Sequence, residues 1–542
     1  MKFFVRITIG IMAAISIAAC SFSDFDEVYV PEQPSGYLSL LSAYEDGRQV
    51  KSIEDGSKRT TVIFEGGYAL SFANTEINFI DRRKSGKPTV AYSEEKGKWT
   101  VDGKYITTTE HVSRSRDKSI PVYAYYDYNT IHVYLSNDDV LDFPYIPNPY
   151  GEIRDFEMPK VYLNNISGGI HKEYYTSGTF KLEDPDNAYS TVDKIECAMQ
   201  IKGRGNSSWG MPKQPYRVKL ESKQSVLGMP ANRDWVFLNN YSDKSLLRNI
   251  VAMELSRIVG MTWTPRCTNI ELYLNNEYRG VYCLIEHKEV AKDKVNIDVV
   301  KPEDEDITGD YYLEIESTTD EPTYFSTSKG VPMQFKDPEY PTEEQLKYIK
   351  DYFNNFEKAL YGSNSKDPVN GYAKYIDVDS FVNYFIVEEL VKNVDGTIFK
   401  SDFLTKERDK KLKFYHLWDF DLTMGNCNYI GAAGNGPEGW LIKNARWYCM
   451  LFQDPAFRKK VQDKWNEVYS DLERVPDFID KCVAEMGNAP TRNFKKWDIL
   501  NVAVWPNVVV PGSYEGEIEY LKDYYTQRLE WMNNAISKFV TK

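Results

Sequence analysis

The chain has 542 residues, a formal net charge of −14, and an ordinary globular composition with 42% hydrophobic and 27% charged residues. The length is too great for one compact domain, and the composition excludes collagen-like structure and disorder throughout the chain. The acidic balance argues against general nucleic-acid binding, because phosphate backbones are held by clustered Lys and Arg.

Residues 1–19 are typical of a lipoprotein signal peptide. Lys2 and Arg6 supply a basic start, and the apolar stretch 7–19 is too short for a comfortable membrane span. The stretch ends in Ile-Ala-Ala before Cys20, which looks like a bacterial lipobox, where the cysteine becomes the first mature residue and carries the lipid. The alternative is an ordinary signal peptide with a chance cysteine.

Residues 20–29 form a short tether with three acidic side chains, Asp24, Asp26 and Glu27. This segment resembles the acidic export tethers of Bacteroidetes surface lipoproteins. A serine after the lipidated cysteine does not suggest retention in the inner membrane. We therefore expect a lipid-anchored protein of the bacterial outer membrane, exposed at the cell surface.

Residues 30–145 predict a small all-β, sandwich-like domain. Short runs rich in Tyr, Val, Ile and Thr are separated by turn clusters such as 45–47 and 96–98. Trp99 stands beside one of these turns, where a core position is favoured over a platform for a sugar. Prolines at 144, 147 and 149 follow, so residues 146–154 are predicted to be a stiff linker.

Residues 155–542 mix helical and strand patterns, which predicts an α+β domain. Strands are expected at 160–163, 194–202, 216–220, 270–274 and 278–285, and helices at 245–259, 346–360, 379–391, 455–472 and 515–539. Asp243 and Asp379 are the predicted N-caps of two of these helices. Cys267 and Cys283 flank one predicted hairpin and are the pair that we favour for a disulfide, since export permits one.

The segment 393–426 carries the clearest chemistry. Asp395 follows a buried-looking helix, a predicted hairpin spans 399–417, and Asp419 and Asp421 follow it directly. Acidic residues before and after a hairpin converge at one end of it, which is costly unless they bind a cation or share protons. This order matches a protein-kinase C-lobe, in which one carboxylate orients the attacking hydroxyl and another holds the metal.

Two upstream segments offer groups for a phosphate. Residues 202–210 form a Gly/Ser loop around Arg204, and its backbone N–H groups could cradle an anion, although a plain turn is the simpler interpretation. The following strand, 216–220, offers two cations, Arg217 and Lys219, at the position where a kinase N-lobe keeps its ATP-pairing lysine. A solvated strand face is the alternative.

Five segments in this order resemble the CotH kinase family, over roughly residues 155–540. They are 204–209, 238–249, 272–282 with Glu286, 393–395 (Asn-Val-Asp) and 418–421 (Trp-Asp-Phe-Asp). No single block is specific, but the ordered set is. The resemblance implies an atypical protein-kinase-like fold, ATP bound with Mg²⁺ or Mn²⁺, and phosphorylation of serines on proteins.

The resemblance also implies roles for individual residues. Asp395 would be the catalytic carboxylate, and Asp419 would be a metal ligand with Asp421 as a second carboxylate. The groups assigned to the nucleotide are Arg204 and Lys219 on the phosphates and Glu286, at the end of a strand, near the adenine.

One position departs from the family pattern. Kinase-like members often place an asparagine five residues after the catalytic Asp, as a second metal ligand, and here that position is Lys400. A protonated lysine has no lone pair for a metal. Either Asn426 or Asp421 takes that role, or one metal binds, or the activity is lost.

Two functions therefore stay open. The first is a lipid-anchored extracytoplasmic phosphotransferase that acts on a protein Ser or Thr. The second, which Lys400 favours, is a catalytically inactive surface lipoprotein that binds glycan or a partner protein. A glycoside hydrolase is a distant third choice. Structural roles also compete: Asp395 as a turn former, and Asp243 with Arg248 as a cap and an ion pair.

Overall fold

The structure is a computed structural model, and it describes a defined part of the chain. The described residues are 40, 43–44, 46–55, 59–64, 69–73, 79–81, 88–106, 120–126, 130–144, 156–186, 188–189, 194–318, 320–428 and 435–540. The predicted signal peptide, Cys20, the acidic tether and the linker at 146–154 lie outside these residues. The chain divides into two compact units, Met1–Gly151 and Glu152–Lys542.

The described part of the N-terminal unit contains three small sheets. The first has β1 (Val50–Asp55), β2 (Arg59–Phe64) and β3 (Ala69–Ala73); the second has β4 (Phe79–Asp81), β8 (Pro121–Tyr126), β9 (Thr130–Leu135) and β10 (Val140–Pro144); the third has β5 (Val90–Ser93), β6 (Lys98–Val101) and β7 (Lys104–Tyr105). Trp99 is 2% exposed and packs in a small aromatic cluster with Tyr125. It is therefore a core residue and no sugar platform.

The C-terminal unit begins with a closed seven-stranded barrel. Its strands are β11 (Lys160–Asn164), β12 (Thr176–Glu183), β13 (Lys194–Gly203), β14 (Tyr216–Gln224), β15 (Asn232–Leu238), β16 (Cys267–Leu274) and β17 (Glu277–Glu286), in the order β11-β12-β13-β14-β15-β17-β16. Burial alternates along β11 and β14, as the two-residue period of a strand requires. Val218, Trp235 and Leu284 share the resulting apolar cluster.

A five-stranded antiparallel sheet follows the barrel in the chain. It is formed by β18 (Tyr311–Ile315), β19 (Tyr324–Ser326), β20 (Pro332–Asp337), β21 (Asp402–Lys406) and β22 (Leu412–His416), in the order β19-β20-β18-β21-β22. The last two strands are the predicted hairpin, and the register places Phe403 opposite His416.

Eight α-helices of the described residues complete this unit. They are α1 (Arg248–Val259), α2 (Glu343–Leu360), α3 (Val378–Val391), α4 (Arg446–Leu451), α5 (Pro455–Leu472), α6 (Val475–Met486), α7 (Ala489–Lys496) and α8 (Tyr514–Ile536). Helices α3, α5 and α8 share a large apolar core with the five-stranded sheet. None of the helices in the described ranges is long and apolar enough to cross a bilayer. The mixture of helices and sheets confirms the α+β class.

Three local predictions differ from the structure. The N-cap of α3 is Asp377, which accepts from the backbone N–H of Ser380, and not Asp379. Helix α1 begins at Arg248, three residues after the predicted start, because Asp243 accepts from the backbone N–H of Arg248. The favoured disulfide is wrong, since Cys267 and Cys283 are free thiols on neighbouring strands.

A buried ion pair joins α3 to α8. Arg528 and Glu389 are both fully buried, and an Nη2–Oε1 distance of 2.6 Å joins them. Arg528 also donates to the carbonyl oxygens of Glu389, Pro437 and Gly439. Removing the guanidinium would leave a buried carboxylate without its cation. Breaking a buried ion pair in this way strongly destabilises the folded state.

We expect Arg528→Ala to lower the free energy of unfolding by about 3–5 kcal/mol, measured by chemical denaturation. The matched control is Arg257→Ala, which removes an exposed partner of Glu254 and should cost about 1 kcal/mol or less. Equal losses in the two variants would show that the buried pair contributes nothing special.

Candidate functional site

The loop after α3 presents Asp395. Helix α3 ends at Lys392, whose backbone is left-handed with φ 54°, and the chain then turns sharply. The side chain of Asn393 accepts the backbone N–H of Asp395 at 3.1 Å. A side chain at Gly396 would collide with the carboxylate of Glu388. The loop conformation therefore depends on the residues packed beneath it.

Beneath this loop lies a buried polar group made by Tyr384, Glu388 and Asp402. The Tyr384 hydroxyl donates to the carbonyl of Gly396 at 2.7 Å and is 2.5 Å from Oδ1 of Asp402. Burial raises the pKa of Glu388 to about 8, and burial together with Glu388 raises the pKa of Asp402 well above its ordinary value. Both shifts favour the protonated, uncharged forms of these acids and so weaken their repulsion of Asp395.

The β21–β22 hairpin carries the chain to Asp419 and Asp421. Asp419 has a left-handed backbone with φ 69°, and the next residue, Phe420, donates its N–H to Oδ1 of Asn249 at 3.0 Å. Such a backbone conformation is uncommon for a non-glycine residue and is held by its neighbours. The hairpin and the asparagine contact thus fix the direction in which this segment leaves the sheet.

Arg248 ties the end of this segment to the start of α1. Its guanidinium donates to Oδ1 of Asp243 at 2.7 Å and to the carbonyls of Thr423 at 3.0 Å and Met424 at 3.3 Å. Both charged residues are buried. The contacts support the structural alternative for Asp243 and Arg248, namely a buried ion pair that positions the loop.

Asp395, Asp419 and Asp421 come together at the end of the hairpin, and we call them the acidic cluster. Burial and then the charge of Asp419 raise the pKa of Asp395 to about 6, and Lys400 opposes this. Burial and then the charges of Asp419 and Asp395 raise the pKa of Asp421 well above its ordinary value, while Arg204 opposes. The sequence predicted this convergence from the hairpin alone.

Two cations flank Trp418, the residue just before Asp419. The guanidinium of Arg204 lies 5.9 Å from the centre of the indole ring, and Nζ of Lys288 lies 5.6 Å from it. Both cations are attracted to the face of the Trp418 ring, in addition to their attraction to the negative charges of the acidic cluster. The charges of Asp419 and Asp421 act on Arg204, so this guanidinium, which the resemblance assigned to the phosphates, lies near the acidic cluster.

Lys288 and its partners form a second charged group beside the site, and no sequence pattern predicted it. Lys288 is 2.8 Å from Oε1 of Glu314, and Lys336 is 3.3 Å from Oε2 of the same carboxylate. Burial acts against ionisation, but the two lysines outweigh it and lower the pKa of Glu314 to about 2. One signal was present in the sequence: Glu314 is a lone acid in the apolar run 311–315, which implies a buried partner.

The Gly/Ser loop that carries Arg204 is anchored at its far end by Lys213. This buried lysine donates to the carbonyl of Val281 at 2.6 Å and to Oδ1 of Asn493 at 2.9 Å. A side chain at Gly203 would collide with the ring of Trp209, another residue of the loop. The loop is thus a packed strap between β13 and β14, and it holds Arg204 in place.

Two residues that were predicted to bind the nucleotide, Lys219 and Glu286, lie away from the acidic cluster or have structural partners. Within the described ranges, Lys219 takes part in no interaction with the acidic cluster. Arg217 lies on the same face of β14 and pairs with Asp234 at 2.8 Å. The charge of Arg217 also acts on Arg204. Glu286 is buried, and its carboxylate accepts from the backbone N–H of Arg266 at 2.8 Å. These contacts do not support a role for Lys219 at phosphate or for the Glu286 side chain at adenine.

Asn426 also has a structural partner. Its Oδ1 accepts from Nδ2 of Asn507 at 2.7 Å, and its Nδ2 donates to the carbonyls of Asp421 at 2.8 Å and Ser242 at 3.2 Å. A metal at Asn426 would compete with the contact to Asn507. The amide links the loop after the acidic cluster to the segment before α8.

No group of three or more His, Cys, Asp or Glu side chains in the described part of the chain is arranged to hold a metal ion. Mg²⁺, however, is commonly bound through one or two carboxylates, with phosphate oxygens and water completing its shell. Asp419 and Asp421 fit that smaller set, because their mutual repulsion is what a divalent cation relieves.

A family model described as CotH kinase protein matches residues 201–532. The match includes the Gly/Ser loop, the barrel strands from β14 onward, the acidic cluster and most of α8. The chain belongs to this family, as the ordered motifs predicted. No curated protein matches the chain.

We expect Glu388→Gln to remove a pH dependence of stability. The folded chain holds the Glu388 proton up to about pH 8, whereas an unfolded glutamate loses it near pH 4.5. Stability from this group is thus complete below pH 4.5 and is lost as the pH rises to 8, at about 1.4 kcal/mol per unit. Unfolding free energies measured from pH 5 to 8 should fall less steeply with rising pH in the variant than in the native chain.

The control is Glu344→Gln, at an exposed position, which should leave this slope unchanged. A slope that Glu388→Gln also leaves unchanged would contradict a buried, protonated Glu388.

Proposed function

We propose that the C-terminal unit is an atypical protein kinase that transfers the γ-phosphate of ATP to a Ser or Thr of an acceptor protein. A lipid on Cys20 would hold it at the outer membrane, facing outward. The observation that carries the proposal is the acidic cluster beside Arg204 and Lys288. Membership of the CotH kinase family supports the kinase-like reaction class.

Asp419 and Asp421 are the residues that would hold Mg²⁺ or Mn²⁺. When bound there, the metal supplies neutralisation of the negative charge on the phosphates. The two aspartates flank Phe420, whose backbone N–H is fixed by Asn249, so both carboxylates belong to one rigid turn.

Arg204 and Lys288 supply positive charge for the phosphate oxygens. A guanidinium offers several N–H donors in a planar fork, and an ammonium is a compact point charge. Glu314 keeps Lys288 in place at 2.8 Å, and Lys336 shares that carboxylate. The pair Lys288–Glu314 thus takes the part that the sequence assigned to Lys219.

Asp395 is the residue that orients the attacking hydroxyl and accepts its proton. It belongs to the loop after α3, separate from the turn that carries the proposed metal ligands. The charge of Lys400 acts on Asp395 and favours its ionised form. Lys400 is therefore compatible with a site that uses one metal ion.

The second candidate is a catalytically inactive surface lipoprotein that binds glycan or a partner protein. Lys400 in place of the usual asparagine favours it. The burial of Trp99 removes one reason for the glycan version. The two functions make different predictions: a kinase transfers phosphate and needs Asp395 to do so, whereas the inactive binding protein transfers none.

We expect Asp419→Asn to weaken binding of ATP with Mn²⁺ by about 30-fold or more, because the metal loses a charged ligand, and Lys288→Met to weaken it about tenfold. Isothermal titration of the purified chain measures both. Lys219→Met is the matched control and should change the affinity less than about twofold. Strong loss with Lys219→Met and none with Lys288→Met would reverse the assignment.

We expect Asp395→Asn to abolish phosphate transfer to a protein acceptor while ATP affinity stays within about threefold of the native value, since the residue orients the hydroxyl and does not hold the nucleotide. Transfer of radiolabelled γ-phosphate, including transfer to the chain itself, is the readout. A native chain that binds ATP and transfers nothing would support the inactive binding protein instead.

A further inference from the structure

A groove of about 800 Å³ lies among α6, α7 and α8, formed by residues other than those of the acidic cluster. Its apolar lining comes from all three helices and the segments between them, and includes Val483, Phe494, Leu500 and Ile518. A volume of this size is typical of ligand pockets and holds several side chains. The groove can therefore take more than a single ion or water.

The rim of the groove on α8 is acidic. Glu515, Glu519 and Asp523 follow one another at four-residue spacing, so they lie on one face of the helix, and all three are exposed. None of the three forms an ion pair within the part of the chain that the structure describes, whereas the nearby Lys522 is paired with Asp480 at 2.7 Å. Like charges at this spacing destabilise a helix.

An exposed apolar loop continues the groove. Val502, Trp505, Val508 and Val509 are 43–52% exposed, and this short segment holds four of the large hydrophobic side chains on the surface. The ends of the segment, Leu500 and Gly512, line the groove. Exposed apolar patches beside polar rims mark interaction surfaces.

The loop is held in a defined position. Nζ of Lys244 donates to the carbonyl of Val502 at 2.7 Å. Asn507 donates to the carbonyl of Ser242 and to Oδ1 of Asn426, both at 2.7 Å. The exposed apolar side chains thus belong to an anchored backbone, and one of its anchors is the side-chain amide of Asn426, which follows the acidic cluster.

We infer that this groove and loop form a docking surface for a segment of a partner protein that carries Lys or Arg beside apolar side chains. The negative rim matches positive side chains, and the apolar floor and loop match Leu or Phe. A polyamine lacks the apolar part, and an anionic lipid or nucleic acid would be repelled by the rim. The inference needs no activity of the acidic cluster.

The test is fluorescence anisotropy with the purified full chain and a short labelled peptide in which lysines flank a Leu-Phe pair. We expect binding that weakens as salt rises, because exposed charges are screened. Replacing the lysines by Glu, or the Leu-Phe pair by Ala-Ala, should lower the affinity about tenfold. Absence of binding by the lysine peptide, or equal binding of the Glu peptide, would overturn the inference.

Variants of the chain locate the binding. Glu519→Gln with Asp523→Asn, and separately Val508→Ser with Val509→Ser, should each weaken the peptide about tenfold, while ATP affinity stays unchanged. Glu530→Gln with Asp498→Asn removes the same charge from exposed positions outside the groove and should leave the peptide affinity within about twofold. Equal losses in this control would show a general charge effect and would contradict the proposed surface. Thermal unfolding of each variant confirms that the fold is kept.

Discussion

The repulsion among Asp395, Asp419 and Asp421 is the constraint that the structure around the acidic cluster has to meet. Burial, and after it the charges of neighbouring carboxylates, raises the pKa of Asp395 to about 6 and raises that of Asp421 well above its ordinary value. Left alone, such a cluster would push the loops apart. The surrounding cations and buried contacts hold it together.

The restraint comes from both sides of the cluster. Beneath Asp395, burial raises the pKa of Glu388 and of Asp402, which favours their uncharged forms and limits the negative charge under the loop. Beyond Asp421, the guanidinium of Arg248 binds the carbonyls of Thr423 and Met424. The acidic cluster, whose repulsion costs stability, is also the place where we propose that a cation binds, and strain of this kind is often found at functional sites.

Positive charge reaches the cluster from distant parts of the chain. Arg204 comes from the loop between β13 and β14, and Lys288 comes from just after β17. Lys288 is held by Glu314 of β18, so the barrel and the five-stranded sheet meet through this pair. Because Trp418 lies between Arg204 and Lys288, the residue before Asp419 also belongs to this arrangement.

The sequence predicted the parts of this site that depend on local order. A helix, a hairpin and two flanking acids are adjacent in the chain, so the meeting of Asp395 and Asp419 follows from strand geometry. The Lys288–Glu314 pair could not be predicted in the same way, because its members are joined only by the packing of separate sheets. Lys219 and Arg217 share one strand face, and periodicity alone does not say which of them meets Arg204.

The remaining differences have the same origin. Glu286 sits at a strand end, but burial against Arg266 decides its role. Asn426 is engaged by Asn507, 81 residues further along the chain, a contact that no local pattern contains. Helix boundaries differ from the predicted ones where side chains compete for backbone N–H groups. Asp243 accepts the N–H of Arg248, and α1 therefore begins three residues after its predicted start.

The most direct test of the metal–nucleotide site is a crystal structure of the chain with Mn²⁺ and a non-hydrolysable ATP analogue. We expect an anomalous peak for Mn²⁺ beside the carboxylates of Asp419 and Asp421, with the triphosphate oxygens in contact with Arg204 and Lys288. A metal bound elsewhere, or a nucleotide whose phosphates contact Lys219 and avoid Lys288, would contradict it.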